Sequence, residues 1–484
     1  ETKLLWWTIV VMEMLISPLS AERGDLSART TVICNLTQRR VCRCVKNIIL
    51  RIMQYSVFTK HHSLKGYLIM AASGVVLALA AHMSVWWLQL PALFAVAAVF
   101  VVLRRATARH AYFLGLTFCA CWLLPTTYWY YQFMTPIVAV LASVGFIFLL
   151  ANIWWIVLLR RWIGVKAVSV LFVIVWCSFT LIRLHAPVMK DWWIPHLGYT
   201  VWRNNGILML GRWGGEAAIE FALLAIGVGL AWLWCRQKRM QFIIASGVVA
   251  VVVIAANIVV AKLPAQPILP TIAVQSMTEG GVNAPATKND VKRLEQLSLQ
   301  ALKSRHAKPG VTIVWPENSL PASSREQLRD FTRNNHLRLV YHTQEIIGDR
   351  RYKKVVILDE DGKDALVNYK QHIAPDEEGV GRVSAQNVRF GGRTITAYVC
   401  YDLHYPDVVN RMKGSDTVYA PLDDVVYGYL QKQFHAADIS LHAIQAQTTI
   451  VTASINGPTM AVNANGVIVD QLKSDGAGVL AVGW

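Results

Sequence analysis

The sequence predicts an α-helical membrane bundle of about seven transmembrane helices followed by a layered α/β domain. Three observations predict it. Of 484 residues, 54% are hydrophobic and only 16% are charged, against roughly 25% charged in an ordinary soluble protein. The apolar residues are concentrated in long runs between positions 67 and 262, and beyond that point the composition changes abruptly to short β-rich runs alternating with helical ones. The net charge of +17 points to basic loops on one face of a bilayer rather than to nucleic acid.

The apolar runs are Tyr67–Val85, Leu90–Leu103, Ala111–Tyr130, Ile137–Leu159, Ala167–Ile182, Ala217–Cys235 and Phe242–Ala261. About 20 apolar residues cross a hydrocarbon core near 30 Å, and seven such runs in succession exclude a set of ordinary buried helices. Arg104, Arg105 and Arg109 follow the second run, Arg160, Arg161 and Lys166 the fourth, and Arg236, Lys238 and Arg239 the sixth. With the basic segment before Tyr67 they occupy one side if all seven runs cross, which makes that side cytoplasmic and places everything after Lys262 outside. The outer loop from Arg183 to Glu216 carries Trp192, Trp193, Trp202 and Trp213, which read as an interfacial aromatic belt. Glu220, near a helix end, is expected to reach the interface. The expected domains are therefore a basic N-terminal segment (1–66), a transmembrane helical domain (67–262) and an outer α/β domain (263–484). Apolar Leu4–Ser20, interrupted by Glu13, is read as signal-like, an eighth helix or a displaced chain start, and no chemistry is assigned to it.

Strands are expected at Thr271–Met277, Val311–Trp315, Leu337–Thr343, Lys354–Asp359, Thr394–Val399, Thr417–Ala420, Thr449–Ile455, Met460–Asn463 and Val467–Gln471. Helices are expected at Asp290–His306, Ser324–Asn335, Asp407–Lys413 and Leu430–Gln447. Strands interleaved with helices make an α/β layered domain. Of eight cysteines, only Cys400 lies in this domain, so no disulfide can form within it. His404, His435 and His442 are spaced too irregularly for a metal site, and no cofactor motif is present.

Three segments resemble strands that end on a polar residue: Val314-Trp315-Pro316-Glu317, Asn368-Tyr369-Lys370 and Tyr398-Val399-Cys400-Tyr401-Asp402. α/β sites are built at such strand ends. A carboxylate, an ammonium and a thiol delivered together supply a base, an oxyanion stabiliser and a nucleophile. Spacing alone does not bring the three together.

The order and wording of these segments, above all Val-Cys-Tyr-Asp-Leu-His-Tyr-Pro-Asp, resemble the carbon–nitrogen hydrolase (nitrilase) superfamily from about Pro270 to Trp484. Trp193-Ile194-Pro195-His196-Leu197-Gly198-Tyr199 is similar to an outer loop of the apolipoprotein N-acyltransferases, inner-membrane proteins with a periplasmic nitrilase-like domain. The resemblance implies a four-layer αββα sandwich in which Glu317 is the general base, Lys370 the oxyanion stabiliser with the backbone N–H of Tyr401, and Cys400 the nucleophile. Glu378, eight residues after Lys370, would be the supporting glutamate. It further implies a phospholipid acyl donor, a Cys thioester, and a lipoprotein or other amine as acceptor at the bilayer, with no metal or soluble cofactor and no nucleic acid. Asp402 stands where the acyltransferases have Glu and soluble amidases have Asp. The family's Arg-Ala-x-Glu stretch reads His442-Ala443-Ile444-Gln445, and its closing transmembrane helix has no counterpart before Trp484. A membrane-anchored amidase acting on a small amide, and a nitrilase-like component of a conjugal-transfer apparatus, are the alternative readings.

Overall fold

The computed structural model describes residues 64–484 apart from 133, 188, 277–285, 375–376 and 473–475. The basic N-terminal segment up to residue 63, with its cysteines, and the end of the expected strand at Met277 lie outside the described residues.

The helical part comprises α1 (Leu64–His82), α2 (Pro91–Arg105), α3 (Ala108–Thr127), α4 (Pro136–Ala151), α5 (Arg160–His185), α6 (Gly211–Cys235) and α7 (Arg239–Lys262). Pro91 and Pro136 stand in the first turn of their helices, where a missing N–H costs nothing. Among the described residues six stretches are long and apolar enough to cross a bilayer, where seven runs were expected. The runs Ile137–Leu159 and Ala167–Ile182 are parts of one 50-residue stretch, Pro136–His185, continued between α4 and α5 by a 3-10 segment. At 1.5 Å per residue a straight helix of that length would measure about 75 Å, far beyond one bilayer. It is broken at Gly164, whose φ of +82° is left-handed backbone suited to glycine.

Packing of α1 on α3 depends on a second glycine. A Cβ at Gly74 would lie 2.5 Å from the Phe118 carbonyl oxygen. The helical core around this contact includes Leu77, Leu114, Trp122, Trp154, Phe172 and Trp176.

The α/β part contains two six-stranded sheets. The first holds β1 (Thr271–Gln275), β2 (Thr312–Val314), β3 (Arg338–Ile347), β4 (Arg350–Leu358), β5 (Asp364–Tyr369) and β12 (Gly478–Val482), in the order β12-β1-β2-β3-β4-β5. The second holds β6 (Val388–Phe390), β7 (Arg393–Ala397), β8 (Thr417–Asp423), β9 (Thr449–Ile455), β10 (Met460–Val462) and β11 (Ile468–Gln471), in the order β11-β10-β9-β8-β7-β6. β1-β2-β3 and β7-β8-β9 are parallel and the flanking pairs antiparallel. Successive strand residues face opposite sides, and the chain uses this strictly. Ala273, Val314 and Val340 join one cluster with Ile395 and Val451 of the second sheet. Their neighbours Ile272, Val274, Ile313 and Leu339 pack instead with Val291 and Leu294 of α8 (Lys288–Ser304) and Leu328 and Phe331 of α9 (Arg325–Asn335). Polar groups also bridge the sheets: the Tyr419 and Thr271 hydroxyls are 3.1 Å apart.

The second sheet is followed by α10 (Pro406–Met412) and α11 (Tyr429–Ala446). Helix α11 is buried on nearly every side. Ile439 and Ala443 belong to the α/β core, whereas Leu441 and Ile444 belong to the helical core. The α/β part thus seats on the ends of α1 and α6 in part through this helix. A Cβ at Gly211, the first residue of α6, would meet Leu441 at 2.3 Å.

Replacing Gly74 by Val forces a side chain against backbone and is expected to cost about 1–3 kcal/mol. Gly145→Val, at a position with nothing within 4 Å, serves as the control. Thermal unfolding of the detergent-solubilised protein should show a Tm lowered by several degrees for the first variant only; equal melting of the two would refute the close α1–α3 contact.

Candidate functional site

Glu317 lies just beyond β2 and is completely buried. Its backbone N–H donates to the Leu422 carbonyl at 3.2 Å, which ties this strand end in the first sheet to the end of β8 in the second. Lys370 follows β5 and is also completely buried. Its Nζ is 3.1 Å from Glu317 Oε1 and 2.7 Å from the Glu377 carboxylate. Glu377 also receives the ammonium of Lys353 at 3.0 Å and the backbone N–H of Ala374 at 3.1 Å. Two ammonium and two carboxylate groups therefore neutralise one another in a nearly dry site.

Cys400 follows β7 and opens the 3-10 turn Cys400–His404. Its φ is +41°, left-handed backbone that non-glycine residues seldom adopt. The buried sulfur sits 3.9 Å from the Asp423 carbonyl oxygen. Burial, and next the Glu317 carboxylate, push its thiol pKa well up, while Lys370 works against them. Burial also raises Glu317 above the usual carboxylate range, and Lys370 opposes that rise. For Lys370, burial disfavours the charge, but Glu317 and Glu377 outweigh it and hold the ammonium pKa well above its ordinary value. Thiol, carboxylate and ammonium thus act on one another electrostatically, as three residues 53 and 30 positions apart in sequence do only when the sheets bring them together.

Glu378 does not join this group. It is exposed and pairs with Arg351 at 3.1 Å; the carboxylate on the lysine is Glu377, one residue earlier. Asp402 is fully buried and accepts backbone N–H groups from Gln371 and His372, each at 2.9 Å. It clamps the segment after the lysine to the cysteine turn. Burial raises its pKa to about 6. The Tyr401 hydroxyl donates to the Asp191 carbonyl oxygen at 2.6 Å and the Tyr405 hydroxyl to the Asp191 carboxylate at 2.8 Å.

Those last contacts come from the loop after α5, and they change the reading of its tryptophans. Trp193 and Trp202 are buried rather than interfacial, and only Trp213 of the four is highly exposed. The loop is folded between the helix ends and the α/β part. The Trp193 indole N–H donates to Asp438 of α11 at 2.7 Å, the Tyr199 hydroxyl donates to the same carboxylate at 2.9 Å, and His404 Nδ1 is 2.8 Å from it. Glu220 is fully buried too, accepting from the Leu197 N–H at 2.7 Å and from the Thr180 hydroxyl, so it does not reach an interface. On α11, His435 Nδ1 is 3.0 Å from both Asp424 oxygens.

One group of potential metal donors exists among the described residues: His196, Glu216 and Asp438 offer atoms within 4.8 Å of one another. Its carboxylates are already engaged, Glu216 by the Arg183 guanidinium and Asp438 by three donors. An arginine in the donor set disfavours a divalent cation, and the cluster reads as a polar joint.

Residues 73–229 match the family model described as the apolipoprotein N-acyltransferase N-terminal domain. No curated protein matches the chain. Solved structures similar to the α/β part include a variant of the Nesterenkonia AN1 amidase of the nitrilase superfamily (18% identity, 46% of this chain and 92% of that one, TM-score 0.39). A carbon–nitrogen hydrolase from Helicobacter pylori G27 (16%, 44% and 88%, 0.39) and Nit3 from Saccharomyces cerevisiae (17%, 44% and 89%, 0.38), a member of the nitrilase superfamily, are similar as well.

Asp402→Ala would strand the Gln371 and His372 N–H groups without their acceptor, at a cost of about 2 kcal/mol or more. Urea unfolding followed by near-UV circular dichroism should show a lower midpoint, and Cys400 should react faster with iodoacetamide under native conditions. An unchanged midpoint and unchanged alkylation would exclude the clamp.

Proposed function

Starting from an apolipoprotein N-acyltransferase N-terminal domain at residues 73–229, we propose that this chain is a membrane-embedded N-acyltransferase acting through a Cys400 thioester. The observation that carries the proposal is the buried meeting of Glu317, Lys370 and Cys400 at strand ends from two facing sheets. In this reading the α/β part is the four-layer αββα sandwich of the superfamily. The helices cross the inner membrane seven times, the basic loops are cytoplasmic, and the site lies on the periplasmic side, where phospholipid and lipoprotein acceptors reside.

Glu317 takes the thiol proton and the thiolate attacks the ester carbonyl of a phospholipid. The tetrahedral oxyanion is stabilised by the Lys370 ammonium and the Tyr401 backbone N–H. Collapse breaks the ester C–O bond, and the lysophospholipid alkoxide takes the proton from Glu317, leaving an acyl thioester on Cys400. In the second half the acceptor amine, most simply the N-terminus of a lipoprotein, attacks the thioester and gives its proton to Glu317. The C–S bond breaks, the amide leaves, and the thiolate is reprotonated. This is ping-pong covalent catalysis. Glu377 balances the lysine charge throughout, and Asp402 holds the lysine segment against the cysteine turn. No step calls for a metal or a soluble cofactor.

Asp402 in place of the acyltransferases' Glu favours a second reading, an amidase in which water resolves the thioester of a small amide. Incubation of the purified chain with phosphatidylethanolamine should leave a hydroxylamine-sensitive acyl mass on Cys400, discharged by a lipopeptide amine and absent in Cys400→Ser. No adduct, with ammonia released from small amides, would select the amidase reading.

The pH dependence follows from Glu317. It acts as base only when ionised, and burial raises its pKa, so kcat/KM should climb with pH over a range above the ordinary carboxylate value. The Lys353 ammonium helps to keep Glu317 ionised. Lys353→Gln should therefore move the rising limb to higher pH; a limb that stays put or moves down would contradict this role for Glu317.

A further inference from the structure

The sequence has no Asp or Glu between positions 26 and 190, yet this stretch carries many Lys and Arg residues. The structure gathers some of them around a groove. At the end of α2 and the start of α5, Arg104 and Arg160 border a shallow groove whose apolar wall includes Phe100, Leu103 and Phe172. Phe100 and Phe172 meet edge to face, with centroids 5.4 Å apart. Arg160 Nη1 donates to the Arg104 carbonyl oxygen at 2.9 Å. That bond anchors one guanidinium on the C-terminal end of α2, whose last carbonyls lack helical partners. Among the described residues neither arginine has a carboxylate partner.

The other end of α5 shows the contrast. There Arg183 is buried and bonded to Glu216, so the cation facing the α/β part is neutralised from within. Arg183 lies beyond the break at Gly164, at most about 35 Å along α5 from Arg160 at 1.5 Å per residue. Both guanidinium groups border one groove, and among the described residues no carboxylate pairs with either of them. Guanidinium forks match phosphate oxygens, and the apolar wall suits the first part of an acyl chain. The chains would lie on the exposed apolar faces beside the groove, where Trp162, Ile163 and Val170 are exposed and Arg161 covers the Trp162 ring at 4.5 Å.

We propose that this groove binds the phosphate of an anionic phospholipid at the end of the bundle opposite Cys400. The inference rests on the helices being membrane-embedded and is independent of the acyl-transfer chemistry. Basic residues near a membrane surface each favour anionic lipid modestly, so two of them should give roughly thirtyfold preference over a zwitterionic lipid.

The test is native mass spectrometry of the full chain in detergent, with phosphatidylglycerol and phosphatidylcholine of identical chains added together. Preferential retention of phosphatidylglycerol is expected. Arg104→Ala with Arg160→Ala should abolish the preference, and the corresponding pair of Lys substitutions should keep most of it. Ser169→Phe, which fills the groove and leaves both arginines, should expel the lipid and so separates loss of the site from loss of charge. Equal retention of the two lipids, or a preference that survives the double alanine variant, overturns the proposal. Alkaline extraction of membranes supplies the distinction from the underlying reading. A chain that remains in the membrane but shows no preference refutes only the groove, whereas a chain that extracts as a soluble protein refutes both.

Discussion

An ammonium group with no water around it is tenable only beside negative charge, and the whole site is arranged around that constraint. Lys370 is completely buried. Bringing such a charge out of water without a partner would cost several kcal/mol even after relaxation. Glu317 and Glu377 prevent this, and because they are also buried or nearly so, Lys353 is needed to balance the second of them. The four groups form a closed account of charge in which none can be removed without stranding another. The arrangement also explains the contrary behaviour of the two carboxylates. Glu377, between two ammonium groups, is held below the ordinary carboxylate range despite its burial. Glu317, buried and with one close ammonium, is raised. A structural counter-ion and a group able to exchange a proton are thereby separated by environment alone.

The same economy of partners joins the two parts of the chain. Helix α11 serves both hydrophobic cores, so its buried polar side chains, Asp438 among them, need partners within the protein. Asp438 takes hydrogen bonds from Trp193, Tyr199 and His404, and these outweigh burial to hold its pKa below the ordinary value. Asp424 meets His435. On the membrane side, Arg183 and Glu216, and Thr180 and Glu220, satisfy one another. A helix of this composition would be unstable as the surface of a separate soluble domain.

The architecture was legible in the sequence to the extent that it depends on local periodicity. Apolar runs near 20 residues marked the helices, and each of the nine expected strand runs overlaps a strand of the α/β part, whereas β5, β6 and β12 are not among those nine. Glu317, Lys370 and Cys400 could be nominated because each ends an apolar strand and because the wording around them resembles a known superfamily. What escaped has a common physical cause. The contacts of Asp438 reach Trp193 and Tyr199 across 245 and 239 residues, and neither helical nor strand periodicity encodes a pairing at that distance. The choice between Glu377 and Glu378 hinges on how an irregular segment turns, which places one carboxylate on Lys370 and the other in solvent beside Arg351. Two of the expected apolar runs fall within one long apolar stretch for a local reason, the left-handed Gly164 that breaks the helix inside it.

The left-handed backbone at Cys400 shows why the membrane loop matters to the site. A non-glycine residue at φ of +41° carries strain of about 1–3 kcal/mol and persists only where its surroundings over-determine it. Each neighbour in this turn is tied to a different segment. Asp402 takes the N–H groups of Gln371 and His372. The hydroxyls of Tyr401 and Tyr405 are fixed on Asp191, and His404 is fixed on Asp438. Two of these three anchors involve the loop between α5 and α6, directly through Asp191 and through Trp193 and Tyr199 on Asp438. An α/β part cut away from its helices would keep the lysine clamp and lose the rest of the restraint. The turn could then relax toward an ordinary conformation, and the sulfur would leave its place beside the Asp423 carbonyl. The helices therefore do more than carry the α/β part: through the loop between α5 and α6 they hold the Cys400 turn in its left-handed conformation.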